Sequence, residues 1–198
     1  MEEKFTQKKR PEILVFAGPN GSGKTTVTSL MPIIPPYINA DEIQKDLLCS
    51  NEEAADKADE LRRKCLENNQ GFTFETVLST DRKLDLLREA KAKGYFIRCI
   101  YVLTADPWIN IFRVHSRKVS GGHDVPQDKV IGRYYRALER IPELLELCDI
   151  CHIYDNTVQP VRIFKKRKTE SFYWENPLWD KAKIYELTKS ENMRVRGY

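Results

Sequence analysis

The chain has no long apolar run. No stretch approaches the roughly 20 apolar residues that a membrane-spanning helix requires, so no membrane association is expected. The start, Met1-Glu2-Glu3-Lys4, is charged, and no apolar leader core follows it. Cysteine is sparse: five residues, an odd number, do not make a disulfide framework and fit reduced thiols in a cytoplasmic protein. Cys148-Asp149-Ile150-Cys151 has CxxC spacing but lacks a second pair or a suitable histidine pair, and it reads better as a strand than as a zinc or redox site. Internal repeats and low-complexity segments are missing too. A dominant charge of one sign is also absent. The 33 basic and 29 acidic residues leave +4, a weak bias toward anionic ligands that fits a nucleotide as well as a nucleic acid.

What is present is a regular alternation of apolar runs and amphipathic stretches. With 198 residues the chain is expected to form a single domain, 1–198, large enough to bury its own core. Glu12 to Gly18, Phe72 to Leu78, Tyr95 to Leu103 and Ile150 to Asp155 read as strands. Between them lie helical patterns at Glu42–Leu48, Glu52–Asn69 (stopped by Gly71), Asp81–Lys93, Trp108 to about Lys118 and Gln127–Leu147, the last interrupted at Pro142. After Pro160 the pattern predicts a strand over Val161–Phe164, a hairpin, and a tail helix from about Pro177, so that 160–198 forms a C-terminal hairpin and helix. Alternation of this kind predicts an α/β fold in three layers: a mainly parallel sheet with helices on both faces, binding its ligand at the carboxyl ends of the strands.

Directly after the first strand comes Gly18-Pro19-Asn20-Gly21-Ser22-Gly23-Lys24-Thr25, a full match to G-x-x-x-x-G-K-[ST], followed by Thr26 and a helical start. Backbone amides of such a loop cradle nucleotide phosphates, the lysine reaches the outer phosphates and the threonine hydroxyl coordinates Mg²⁺. ATP and Mg²⁺ are therefore the expected cofactors, with Lys24 and Thr25 in those roles. No Asn-Lys-x-Asp segment is present to read guanine, which disfavours a GTP switch. Val102-Leu103-Thr104 reaches no acid before Asp106, which a small-molecule kinase tolerates better than a motor does.

Transfer to a hydroxyl needs a base or an orienting acceptor. Asp41 stands at a strand–helix junction, either as that group or as a helix N-cap. Glu75, in an apolar strand, is either buried with a partner or projects into a cleft. Arg113 and Arg117 share one helical face, and Arg133, Arg136 and Arg140 share another, with Gly121-Gly122 between them. That pattern fits either a lid over about 106–140 that closes arginines onto phosphate, or two solvated faces. His123, at the tip, can contact substrate, cap the turn or stand exposed. Lys165-Lys166-Arg167-Lys168 has no interleaved aromatics, which argues for a solvated hairpin and against a nucleic-acid partner.

Taken in order, Ala17 to Thr26, Asn39-Ala40-Asp41-Glu42-Ile43, Phe74-Glu75-Thr76-Val77-Leu78-Ser79, Arg113-Val114-x-x-Arg117, Gly121-Gly122-His123-Asp124-Val125-Pro126, Arg133-Tyr134-x-Arg136 and Tyr154-Asp155-Asn156 resemble the zeta-toxin family of P-loop kinases, over roughly residues 11–165. The resemblance implies transfer of the ATP γ-phosphate to a hydroxyl, with UDP-N-acetylglucosamine as acceptor. It implies Asp41 as the catalytic acidic residue, Glu75 and Thr76 at the substrate, and Arg117 with Arg133 or Arg136 on the γ-phosphate. An antitoxin partner is implied as well. Two alternatives stand beside it: a kinase for a nucleoside, an antibiotic or a nucleic-acid end, and a nucleotide-binding module controlled by an antitoxin.

Overall fold

In the computed structural model, which describes residues 10–119 and 126–197, eight strands form one sheet in the order β2-β3-β1-β4-β5-β6-β7-β8. The strands are β1 Glu12–Ala17, β2 Tyr37–Ile38, β3 Phe72–Thr76, β4 Phe96–Leu103, β5 Ile150–Asp155, β6 Val161–Arg167, β7 Glu170–Tyr173 and β8 Met193–Val195. The helices are α1 Lys24–Thr28, α2 Ala40–Leu47, α3 Asn51–Glu67, α4 Arg82–Ala92, α5 Pro107–Val119, α6 Gln127–Glu139, α7 Ile141–Leu147 and α8 Lys181–Thr188. From β2 to β5 every neighbouring pair is parallel; β6 then runs against β5 and β7 against β6, and β8 lies parallel to β7. The sheet is thus mixed but mostly parallel.

The central strand shows why its apolar run is continuous. Ile13, Val15 and Ala17 enter one core with Phe72, Phe74, Ile97 and Tyr101, while Leu14 and Phe16 enter a second with Val27, Ile100 and Val102. Residues that alternate along a strand point to opposite faces, so a strand covered on both sides needs apolar groups at every position.

Helix boundaries follow local chemistry. Ser50 and Glu53 form a reciprocal capping box at the start of α3. Its end differs from the sequence expectation: Asn69, at φ 50°, supplies the left-handed residue, and Gly71 instead leads into β3. Trp108 N donates to Asp106 Oδ1 at 2.8 Å, so Asp106 opens α5. The break at Pro142 divides the predicted helix into α6 and α7. The tail departs further: β6 continues through the basic run to Arg167, and two further strands, β7 and β8, extend the sheet. Among the described residues no helix is long and apolar enough to cross a membrane.

Candidate active site

β1 ends at the glycine-rich loop, at the carboxyl edge of the sheet. Gly18 N donates to Thr76 O of β3 at 3.2 Å, which draws the loop against the neighbouring strand. Gly18 adopts φ +140°, and a Cβ there would fall 1.9 Å from Val102 O. Gly23, at φ +90°, would place a Cβ 2.3 Å from Asn156 Nδ2. Side chains are excluded at both positions by backbone conformation and by space.

Two remote amides brace the loop. Asn110, in the first turns of α5, donates to Asn20 O at 2.6 Å. Asn156, just after β5, donates to Ser22 O at 2.8 Å. Inside this frame Lys24 Nζ donates to Gly18 O at 2.7 Å and to Pro19 O at 3.0 Å. Burial pulls the Lys24 ammonium down to about 8; the negative charges of Glu75 and Asp41 oppose that shift, and the Arg117 guanidinium adds to it. Ser22 Oγ and Asn20 Oδ1 are buried without partners. An ammonium resting on carbonyls, with the spare Ser22 hydroxyl beside it, fits a phosphate chain that would bring acceptors for both.

The acidic half of the site is organised by Glu75. Its Oε1 accepts from the Thr28 hydroxyl at 2.7 Å and from the Tyr37 hydroxyl at 2.8 Å, and its Oε2 accepts from Thr25 Oγ1 at 3.2 Å. Asn39 Nδ2 donates in turn to the Tyr37 hydroxyl oxygen at 3.0 Å, and its Oδ1 caps α2 by accepting from Asp41 N at 2.9 Å. Burial and the Glu75 carboxylate together raise the Tyr37 phenol. Asp41 therefore sits in the first turn of α2, capped rather than capping, with its own carboxyl exposed. A hydroxyl and a carboxylate side by side at Thr25 and Glu75 are the hard oxygen donors that Mg²⁺ favours.

Structure thus brings Lys24, Thr25, Asp41, Glu75 and Arg117 into one electrostatic neighbourhood. Other candidates lie elsewhere. The Thr76 hydroxyl accepts from Leu78 N at 3.0 Å and closes the turn after β3. Thr26 is exposed on α1, where its carbonyl accepts from Ser29 Oγ at 2.8 Å. Arg113 donates to Thr157 O at 2.9 Å and ties α5 to the segment after β5. Arg133 is half-buried on α6, and the Arg136 guanidinium lies against Gly132 of its own helix. Arg140 pairs with Asp81 at 2.9 Å. His123 lies outside the described residues. Sequence reasoning assigned no role to Thr28, Tyr37, Asn39, Asn110 or Asn156, which hold the site in shape.

A search for relatives gives a direct match: an uncharacterized protein of Haemophilus influenzae is 30% identical over 127 residues, which make up 61% of this chain and 91% of that protein. This chain belongs to the family of that Haemophilus protein. No family model matches it. Among solved structures it is similar to one from the PezAT chromosomal toxin–antitoxin system of Streptococcus pneumoniae, with TM-score 0.60 and 17% identity over 92% of this chain and 80% of that one. It is also similar to the AvrRxo1-ORF1:-ORF2 complex with ATP, with TM-score 0.69 and 14% identity over 91% of this chain, which spans 64% of that chain. At these identities the likeness establishes the fold alone, an α/β arrangement with a mostly parallel sheet and flanking helices.

Proposed function

We propose that the chain is an ATP-dependent phosphotransferase that moves the γ-phosphate to a hydroxyl of a small molecule, with UDP-N-acetylglucosamine as the acceptor that the zeta-toxin resemblance favours. The observation that carries this reading is the meeting of Lys24, with its unsatisfied loop, and the Glu75–Thr25 pair beside Asp41. Loop amides and Lys24 would hold the phosphates. Thr25, with Glu75 behind it, would hold Mg²⁺, which when bound offsets charge on the transferring group. Asp41, exposed beside Lys24, would accept or orient the acceptor hydroxyl proton. Arg117 would cover the γ-phosphate from α5, so that α5 and α6 act as a lid on one kinase domain. The nucleobase would take the groove of about 430 Å³ beside Asn156, lined by Thr157, Val158, Val161, Pro177 and Leu178.

The test pairs a metabolite extract with ATP and the protein, and reads added phosphate by mass spectrometry. Asp41→Asn should abolish transfer while ATP still binds; transfer at the normal rate by that variant removes Asp41 from the mechanism. Phosphate appearing on a nucleoside, an antibiotic or an oligonucleotide end instead would replace the sugar-nucleotide acceptor. The structural likeness to a chain of the PezAT toxin–antitoxin system supports an antitoxin partner as a second feature, which co-purification of a small protein from the native host would report.

A further inference from the structure

Beyond β4 one face of the sheet carries a pattern that no single segment of the sequence shows. On β5, Cys151 and Ile153 enter the core, so His152 and Tyr154 point the other way. Register carries that face across three more strands: His152 is opposite Lys165, Lys165 opposite Phe172, and Phe172 opposite Arg194. A second row begins with Tyr154 opposite Arg162, where a register shift between Ile153 and Tyr154 returns Arg162 to this face, and continues through Trp174 and Arg196, each two residues beyond its neighbour in the first row. Rings and cations therefore alternate over a surface four strands wide. Lys166, on the opposite face, donates to Cys148 O at 3.1 Å and caps the end of α7.

The cations lie against the rings. The Arg162 guanidinium sits 5.9 Å from the Tyr154 ring and 4.9 Å from the Trp174 ring, and Arg196 lies 4.8 Å from the Phe172 ring. Arg162 Nε is buried without an acceptor. Arg162, Phe172, Trp174 and Arg196, with Lys165, Arg167 and Arg194, line a groove of about 400 Å³ whose single acid is Glu170. Glu170 pairs with Arg194 at 3.2 Å, both side chains largely exposed, so the pair offsets little of the positive field. Beside this groove His152 is depressed to about 4, first by burial and then by the charges of Arg162, Lys165 and Arg98.

We propose that this face binds a single strand of nucleic acid, its phosphodiesters on Arg167, Arg194 and Arg196 and its bases stacked on the guanidinium and ring planes of Arg162, Trp174 and Phe172. An acidic peptide needs cations alone, whereas planar groups interleaved with cations supply the stacking that unpaired bases use. The basic run Lys165 to Lys168 has no aromatics of its own because the rings arrive from β5 and β7. In strand order the face lies on the other side of β1 from Glu75, so the proposal stands independently of the phosphotransfer reading.

Fluorescence anisotropy of the full chain with labelled oligouridylate and oligodeoxythymidylate of about twelve nucleotides, within the usual site sizes, tests it. Saturable binding that weakens as salt rises is expected, with Trp174→Leu and Arg194→Glu each costing about tenfold, the size of one lost base stack or phosphate contact. Preference for the uridylate marks RNA as the natural strand and preference for the thymidylate marks DNA, either of which supports the proposal. Arg194 is exposed, so its variant reports binding even if Trp174→Leu fails to fold. Absence of saturable binding overturns the proposal. So does a polyglutamate peptide that binds as tightly as the oligonucleotides and loses affinity with Arg194→Glu but not with Trp174→Leu, which would make the face a dock for an acidic protein.

Discussion

The Thr25 hydroxyl lies 3.2 Å from Glu75 Oε2 and donates to it, so the residue just after the glycine-rich loop is held by a carboxylate from the adjacent strand. The other oxygen of Glu75 takes two more hydroxyl donors, from Thr28 and Tyr37. One side chain thereby fixes α1, β2 and β3 relative to each other at the point where donor and acceptor would meet.

Glu75→Gln should show this coupling. A glutamine amide cannot accept at both positions, so at least one hydroxyl loses its acceptor or must turn to accept. Phosphate transfer is expected to fall about a hundredfold, the scale of a lost electrostatic contact in a reacting site, while unfolding free energy changes by about 1 kcal/mol. Single-turnover kinetics and urea titration measure the two separately.

Arg117 is the arginine whose charge reaches Lys24. Arg117→Ala should reduce transfer by at least about a hundredfold, since an arginine on a transferring phosphoryl group acts mainly in the transition state. Calorimetric ATP affinity should move far less. Equal losses in affinity and rate would show Arg117 to be a ground-state phosphate ligand instead.

Asn156→Ala removes the amide that donates to Ser22 O in a nearly buried site. The carbonyl left without a donor costs about 1–3 kcal/mol, and the loosened loop should bind nucleotide more weakly. Denaturant midpoints and ATP titration report both, and an unchanged ATP affinity would mean that Asn110 alone suffices as a brace.

His152 provides a pH test. Its folded value, about 4, lies below the 6.5 of an ordinary histidine. Between those values the unfolded chain binds the proton and the folded chain does not, so stability falls as pH drops through this window and is insensitive to His152 above it. His152→Gln cannot take up that proton. Urea midpoints at neutral pH and near pH 4.5 should therefore fall less in the variant than in the parent, and equal falls would place the acid sensitivity elsewhere.

The glycine-rich loop between strand and helix and the βα alternation were legible because each is written in adjacent residues: a fixed spacing of glycines before a lysine, and apolar runs at strand period. Asp41 stood out as an acid at a strand–helix junction and Glu75 as an acid within an apolar strand. Their companions did not, because Tyr37, Thr28 and Asn39 act through hydroxyl and amide contacts that leave no periodicity. Asn110 and Asn156 are farther still, donating to carbonyls 90 and 134 positions away. The basic and aromatic face was hidden for a related reason: its rows run across strands, and a sequence lists residues along them. Short edge strands such as β8 carry too few residues to show alternation at all.

The amide of Asn156 also has a consequence in time. The loop it grips is synthesised well before the residue that grips it, and the grip arrives only when β5 has been made and has paired with β4. A nascent chain that ends before this point carries the glycine loop with one of its two clamps missing. Contacts between such distant positions form late in folding because closing the long intervening loop is entropically costly. The bracing of the glycine-rich loop is therefore completed as the sheet nears completion, and premature termination anywhere before residue 156 leaves the loop without this clamp.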